Sequence, residues 1–299
     1  MSATEAWSES YGEEAMPRVG FFTDTSVCIG CKACEVACKE WNLIPEDGLV
    51  WTGHSYDNTG KLDANSWRHV AFVEQQKPLK IDGGGDTAEL DAEPLRWLME
   101  SDVCKHCTHA GCLDVCPTGS LFRTEFGTVV VQEDICNGCG YCVPACPFGV
   151  LDKRHLARKP DDTPLALPLL GKKEDGRVWK CTLCYDRLKG GHEPACAKAC
   201  PTDSIQFGPL DELRDRADKR LEKLEAEGWN GPRLYGRDPD DGVGGFGAFF
   251  LLLDEPEVYG LPPDPVVPTK HLPELWKQTA LAAAATVVGA ALAFVGGRE

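Results

Sequence analysis

The chain has 299 residues, a formal net charge of −16 and 26% charged residues, enough for one large or two ordinary domains. Its acidity argues against nucleic acid, which wants a basic face. Sixteen cysteines dominate the composition and fall into four groups of four with none left over; 31 glycines and 21 prolines point to many short turns and few long elements.

In chain order, residues 1–20 are polar and acidic and read as a loose arm, or one ordered by docking. The first thirty residues hold neither an apolar h-region nor a twin-arginine pair, so no cleavable export signal is expected. A disulfide framework is therefore disfavoured. The first cysteine segment is Cys28-x2-Cys31-x2-Cys34-x3-Cys38, in which Gly30 is free to take a positive φ and turn amides toward sulfur. Residues 39–103 form a long insertion carrying Trp41, Trp51, Trp67 and Trp97, expected as core, with a protein-contact surface as the sharper alternative. Within it, 67–73 reads as a strand and Gly83-Gly84-Gly85 as a loop.

The centre of the chain reads Cys104-x2-Cys107-x4-Cys112-x3-Cys116-Pro117, then eighteen residues, then Cys136-x2-Cys139-x2-Cys142-x3-Cys146-Pro147. The second run is C-x2-C-x2-C-x3-C-P, which holds four-iron clusters through thiolates; its fourth cysteine ligates the neighbouring cluster. Two such runs close together are what a two-cluster ferredoxin unit requires. Between them, Leu121 to Thr124 and Thr128 to Val131 flank a Gly-containing turn, a hairpin signal. Paired C-x2-C elements also build zinc sites, but zinc ribbons do not repeat a further cysteine placed before proline. The lysines beside ligands (Lys32, Lys39, Lys105, Lys180, Lys198) read individually as solubilising surface charge, with a rise in reduction potential as the sharper alternative. His106 and His109 read as packing or hydrogen-bonding residues while four cysteines are available.

Residues 160–164 read as a loop. The fourth segment runs Cys181-x2-Cys184, eleven residues, then Cys196-x3-Cys200-Pro201, with a loop expected in the gap. The central two segments are nearest neighbours, so the first and fourth must meet around them. With the last cysteine of each run crossing over, four [4Fe-4S] clusters are expected. Cluster A takes Cys28, Cys31, Cys34 and Cys200; cluster B takes Cys38, Cys181, Cys184 and Cys196. Cluster C takes Cys104, Cys107, Cys112 and Cys146; cluster D takes Cys116, Cys136, Cys139 and Cys142. The fold class is α+β: two interlocked two-cluster ferredoxin-like units with insertions, plus one C-terminal membrane helix. The expected divisions are 1–103 pairing with 147–209, the central unit 104–146, a helix, strand and connector over 210–269, and the membrane helix over 270–299.

Residues 210–227 read as a surface helix, with Leu210, Leu213, Ala217, Leu221 and Leu224 near helical spacing and Gly228 as its stop. A buried strand is expected over 247–253 and an extended proline-rich connector over 256–268. Residues 278–297 are twenty without a charge, long enough to cross a lipid bilayer as a helix, with Trp276 as interfacial anchor. Nothing resembles a substrate site: there is no His/Ser/Asp constellation and no P-loop, so no catalytic residue is assigned.

The run from Asp24 to Cys34, Lys39-Glu40-Trp41-Asn42, Lys180-Cys181-Thr182-Leu183-Cys184 and Glu193-Pro194-Ala195-Cys196 resemble the iron–sulfur subunits of respiratory formate dehydrogenases. So do Gly242-Val243-Gly244-Gly245, Tyr259-Gly260-Leu261-Pro262 and the apolar tail. The cysteine pattern alone is shared with electron-transfer subunits of nitrate, polysulfide and sulfoxide reductases, the alternative assignment within this wider group; a soluble polyferredoxin is the alternative outside it. In nitrate reductase relatives one ligand of the third segment is tryptophan; Cys139 stands there here and favours four cubanes. A longer 155–177 loop and a short tail after the helix depart from the family. The resemblance implies a catalytic partner bearing molybdenum or tungsten on a pterin, where formate is oxidised, and a membrane cytochrome b partner leading to quinone. It also implies that the first/fourth unit faces the catalytic partner and that the cluster domain lies on the outer, periplasmic face of the cell membrane. Lys270 and Lys277 against Arg298 vote weakly the other way.

Overall fold

The computed structural model describes residues 16–46, 53, 56–75, 96–154, 176–229 and 231–296. Its centre is a four-stranded sheet in the order β8-β1-β10-β9. The strands are β1 (Val19–Asp24), β8 (Ile205–Pro209), β9 (Arg233–Tyr235) and β10 (Ala248–Leu252). β1 pairs antiparallel with β8 and parallel with β10. β10 is Ala-Phe-Phe-Leu-Leu and buried throughout, the continuous apolar run of a strand covered on both faces. The buried strand expected over 247–253 is therefore present. The polar arm expected over 1–20 ends earlier than expected, because Val19 and Gly20 already belong to β1.

The two faces of this sheet differ in kind. On one, Phe22 stacks on Phe249 at 5.3 Å. The expected surface helix, α5 (Leu210–Ala226), buries Leu210, Leu213, Ala217 and Leu224, and its Arg220 pairs with Asp24 at 2.9 Å. Period-2 alternation sends Phe21 and Phe250 to the other face. There the Arg68 guanidinium lies 4.9 Å from the Phe21 ring centre and the Lys105 ammonium 4.7 Å from that of Phe250. Polar and ionic groups gather on that face.

Around it sit three small ribbons. β2 (Arg68–Gln75) pairs with β3 (Arg96–Val103), and β4 (Leu121–Arg123) with β5 (Val129–Val131), the hairpin expected between the central cysteine runs. β6 (Asp152–Lys153) pairs with β7 (Val178–Trp179). The glycine loop at 83–85, Trp51 and residues 160–164 lie outside the described residues. Of the other insertion tryptophans, Trp67 is core and stacks on Trp179 at 6.2 Å. Trp41 and Trp97 are exposed, against the expectation of core. Trp41 works as a clip instead: its Nε1 donates to Asp186 at 2.8 Å, and the Arg187 guanidinium covers its ring at 4.1 Å.

The C-terminal helix, α6 (Leu272–Gly296), starts six residues before the uncharged run and includes it up to Gly296. Its segment Glu274–Phe294 is long and apolar enough to cross a bilayer, and none of it is buried against the rest of the chain. Thr279 and Thr286 donate back to the carbonyls of Leu275 and Ala282, so these hydroxyls are satisfied within the helix, as lipid demands. The connector before it is less extended than expected: Pro256–Tyr259 and Pro268–His271 are 3-10 turns.

Candidate metal centres

Secondary structure explains why distant cysteines meet. Asp24 N–H donates to the Ser204 carbonyl and Ser204 Oγ to the Asp24 carbonyl, each at 2.8 Å, so the β1–β8 pairing carries Cys28 and Cys200 to one place. Cys28, Cys31, Cys34 and Cys200 line one pocket with Ser101 and Ser204. Gly30 sits there at φ +65°, and a Cβ on it would stand 2.7 Å from the Phe72 ring. Only glycine fits.

Cys104, Cys107, Cys112 and Cys146 line a second pocket. Cys38 gathers a third group: burial first, and then the sulfurs of Cys181, Cys196 and Cys184, push its thiol well above the ordinary range. Asn42, on the same helix α1 (Ala33–Asn42), places its amide 3.7 Å from Cys38 Sγ and 3.9 Å from Cys184 Sγ. In the fourth group, Cys142 is pushed up to about 11, by burial and then by the sulfurs of Cys116, Cys136 and Cys139, with its own backbone amide opposing. Burial also pushes Cys116 up, but the Leu121 amide, the Thr118 hydroxyl and the amides of Thr118 and Ser120 outweigh it and leave this thiol below its ordinary value. Eight of the sixteen sequence-marked cysteines thus line two pockets, and the other eight act on one another's charge in two further sets.

The gap in the fourth segment is more ordered than a loop. After Cys184 comes α3 (Tyr185–Lys189), then a glycine turn, then α4 (Ala195–Lys198) carrying Cys196. Leu183 and Cys184 both take left-handed backbone, at φ +56° and +50°. Non-glycine residues hold that conformation where the surroundings over-determine it. The Leu183 amide uses it to reach Cys181 Sγ at 3.3 Å.

The groups stand in a row. Cys196 raises the Cys34 thiol, linking the group of Cys28 to that of Cys38. Cys104 raises Cys181, linking the next pair. Cys142 raises Cys112, linking the last. Cys31, in the first group, and Cys139, in the last, are exposed, whereas Cys38, Cys181, Cys184 and Cys196 in the second are all buried.

Buried cations interleave with the sulfurs. Lys105 and Lys180 are each 1% exposed, which overturns the surface reading for these two; Lys198 is exposed as expected. Lys105 pairs with Asp102. Lys180 donates to the carbonyls of Val129 and Cys181. Arg123 bonds the carbonyls of Cys107 and Thr108, and Arg18 bonds His106 O and Thr108 Oγ1. Arg18, Arg68, Arg123, Ser101 and Asn42 escaped the sequence reading. A charge inside the apolar 67–73 run was the one available signal. His106 is buried and accepts from the Val129 amide at 3.1 Å, a packing role as expected.

The donor set fits iron–sulfur clusters. Crowded, desolvated thiolates repel one another and resist ionisation, and a cationic iron–sulfide core is what reverses that cost. Among the described residues no three His, Cys, Asp or Glu side chains close to single-ion spacing. The run 242–247 has the G-x-G-x-x-G spacing of a dinucleotide site, but it leads into β10 and opens no helix. Its glycines serve close packing, as Gly244 does against His109.

Four thiol groups threaded through short turns, with cations buried among them, define an iron–sulfur electron carrier. Models of the 4Fe-4S dicluster domain match residues 27–120, 95–162 and 135–205. The nitrate-inducible formate dehydrogenase iron-sulfur subunit of Escherichia coli (strain K12) is 40% identical over 261 residues, covering 85% of this chain and 75% of its own. The formate dehydrogenase iron-sulfur subunit of Haemophilus influenzae is 40% identical over 270 residues, covering 89% and 75%. A polypeptide of the anaerobic dimethyl sulfoxide reductase of E. coli is 36% identical over 201 residues, covering 66% and 76%. The protein belongs to the iron–sulfur subunits of formate dehydrogenases, is an electron-transfer subunit, and carries four [4Fe-4S] clusters.

The Lys105–Asp102 pair generates a stability prediction. Asp102→Ala leaves a fully buried ammonium without its carboxylate and is expected to cost about 3–5 kcal/mol. Thermal unfolding of the purified variant is expected at lower temperature, with Asp102→Glu closer to the parent.

Proposed function

We propose that this chain conducts single electrons from a molybdenum- or tungsten-pterin subunit that oxidises formate to a membrane cytochrome b and quinone. One observation carries the reading: the four thiol groups form a row whose two end groups reach the surface and whose second group is enclosed. A wire needs contact at its ends and insulation between them. The clusters supply one-electron storage; the chain supplies their spacing, their insulation and their local charge. Exposed apolar residues lie beside both ends, Ile29 and Val36 near the first group and Ile135 and Tyr141 near the last, which supports a docked partner at each.

We assign cluster A to Cys28, Cys31, Cys34 and Cys200, cluster B to Cys38, Cys181, Cys184 and Cys196, cluster C to Cys104, Cys107, Cys112 and Cys146, and cluster D to Cys116, Cys136, Cys139 and Cys142. These would form two interlocked units, one built from 1–103 with 147–209 and one from 104–146. Cys116→Ser is expected to lower iron from about sixteen to about twelve atoms per chain while the other three clusters assemble. Loss of two clusters from the first/fourth unit instead would contradict the assignment.

The start of α6 supports one reading of the membrane end of the wire. The short helix α2 (Gly111–Asp114), which carries Cys112, sits against the connector: Asp114 accepts from Thr269 Oγ1 at 2.5 Å, and Val267 packs where a Cβ on Gly111 would go. This supports clusters C and D facing the bilayer and cluster A facing the catalytic subunit, with 278–297 in the lipid. The cluster-bearing part lies on the outer, periplasmic face in this reading. The full chain is expected to resist carbonate extraction, and a chain ending at Lys277 to be extracted. Protease added outside intact spheroplasts is expected to degrade the cluster-bearing part; protection would reverse the orientation.

A further inference from the structure

Among the buried cations, Arg68 has the most unusual partners. It opens β2, is 2% exposed, and has no carboxylate among its hydrogen-bond partners. Its Nη1 donates to the carbonyl and the Oγ of Ser101, both at 3.1 Å. Its Nε and Nη2 have no oxygen or nitrogen partner, and the Phe21 ring closes one side. A guanidinium so placed has lost its hydration and received two neutral acceptors in return. Such a charge persists in a protein interior only beside a compensating negative charge.

Glu100 does not supply that charge. Both its carboxyl oxygens are buried without partners, so it makes no ion pair with Arg68. Asp102 is engaged with Lys105. What remains is sulfur. The sulfurs whose charge reaches the guanidinium are those of Cys196, Cys34, Cys181 and Cys38, and Cys196 lies within hydrogen-bonding reach of it. Cys34 belongs to the first thiol group and the other three to the second. Ser101 adds a directional link to one of them only, its Oγ lying 3.2 Å from Cys34 Sγ.

We propose that Arg68 is the counter-cation shared by clusters A and B, set between their sulfurs and raising the reduction potential of both. A cubane with its four thiolates goes from about −2 to about −3 on taking one electron, so a fixed neighbouring cation stabilises the reduced form more than the oxidised one. Because the same cation serves both clusters, it shifts them together and keeps them matched across the first gap of the wire. Ser101 tunes A alone, through its hydroxyl on Cys34. The inference rests on the ligand sets assigned above.

The test is an EPR-monitored redox titration of the purified complex, with dithionite as reductant and iron counted in each sample. In Arg68→Gln, two of the four midpoints are expected to fall, each by at least a tenfold change in the reduction equilibrium, about 59 mV for one electron. The other two stay in place. Arg68→Lys, which keeps the charge, is expected to restore most of the shift, and Ser101→Ala to move one of the same two midpoints. Failure of Arg68→Gln to assemble clusters that Arg68→Lys retains supports the same role for the charge. Unmoved midpoints in a fully loaded Arg68→Gln, or equal shifts or equal losses in Gln and Lys variants, overturn it. Fewer than four clusters in the parent protein would instead overturn the ligand sets.

Discussion

Sixteen thiolates compressed into one small protein repel one another, and the rest of the structure answers to that repulsion. Desolvation compounds it: Cys38 and Cys107 are pushed well above their ordinary range by burial first and by three sulfurs of their own group next. A chain of net charge −16 has no surplus of cations to spend freely. It places them selectively instead, with Arg68, Lys105, Lys180, Arg123 and Arg18 buried or nearly so, among the cysteines or on their flanking carbonyls. The iron cores do the larger part of the neutralising; the buried side chains set how much charge each added electron meets.

The second constraint is topological. A single strand pairing, β1 with β8, joins segments some 180 residues apart and so closes the first thiol group. Short helices and left-handed turns then do the fine positioning, since a four-residue helix such as α4 holds a cysteine without occupying the space beside it. The mixed character of the fold follows from this division of labour: one buried sheet for strength, many turns for aim. The α5 face of that sheet carries ordinary apolar packing, which leaves the opposite face available for ions.

Much of this was legible in the residue order. Cysteine spacing before proline named the cofactor. The hairpin at 121–131, the buried strand near 248–252 and the apolar tail were equally readable, because each is a local pattern with its own period. What escaped depends on tertiary neighbours. Trp41 looks like core by composition, yet serves as a surface clip because Asp186 and Arg187 arrive from the fourth segment. Lys105 and Lys180 look like surface charge, yet are buried, because Asp102 holds the first ammonium and the carbonyls of Val129 and Cys181 the second. Arg68 combines both difficulties: a strand residue whose meaning lies in two groups of cysteines elsewhere in the chain.

The account rests on inorganic clusters held by all sixteen cysteines, and the most direct measurement is iron, acid-labile sulfide and zinc per chain in anaerobically purified complex. About sixteen iron and about sixteen sulfide with negligible zinc are predicted. Stoichiometric zinc, or thiols found oxidised to one another, would contradict it.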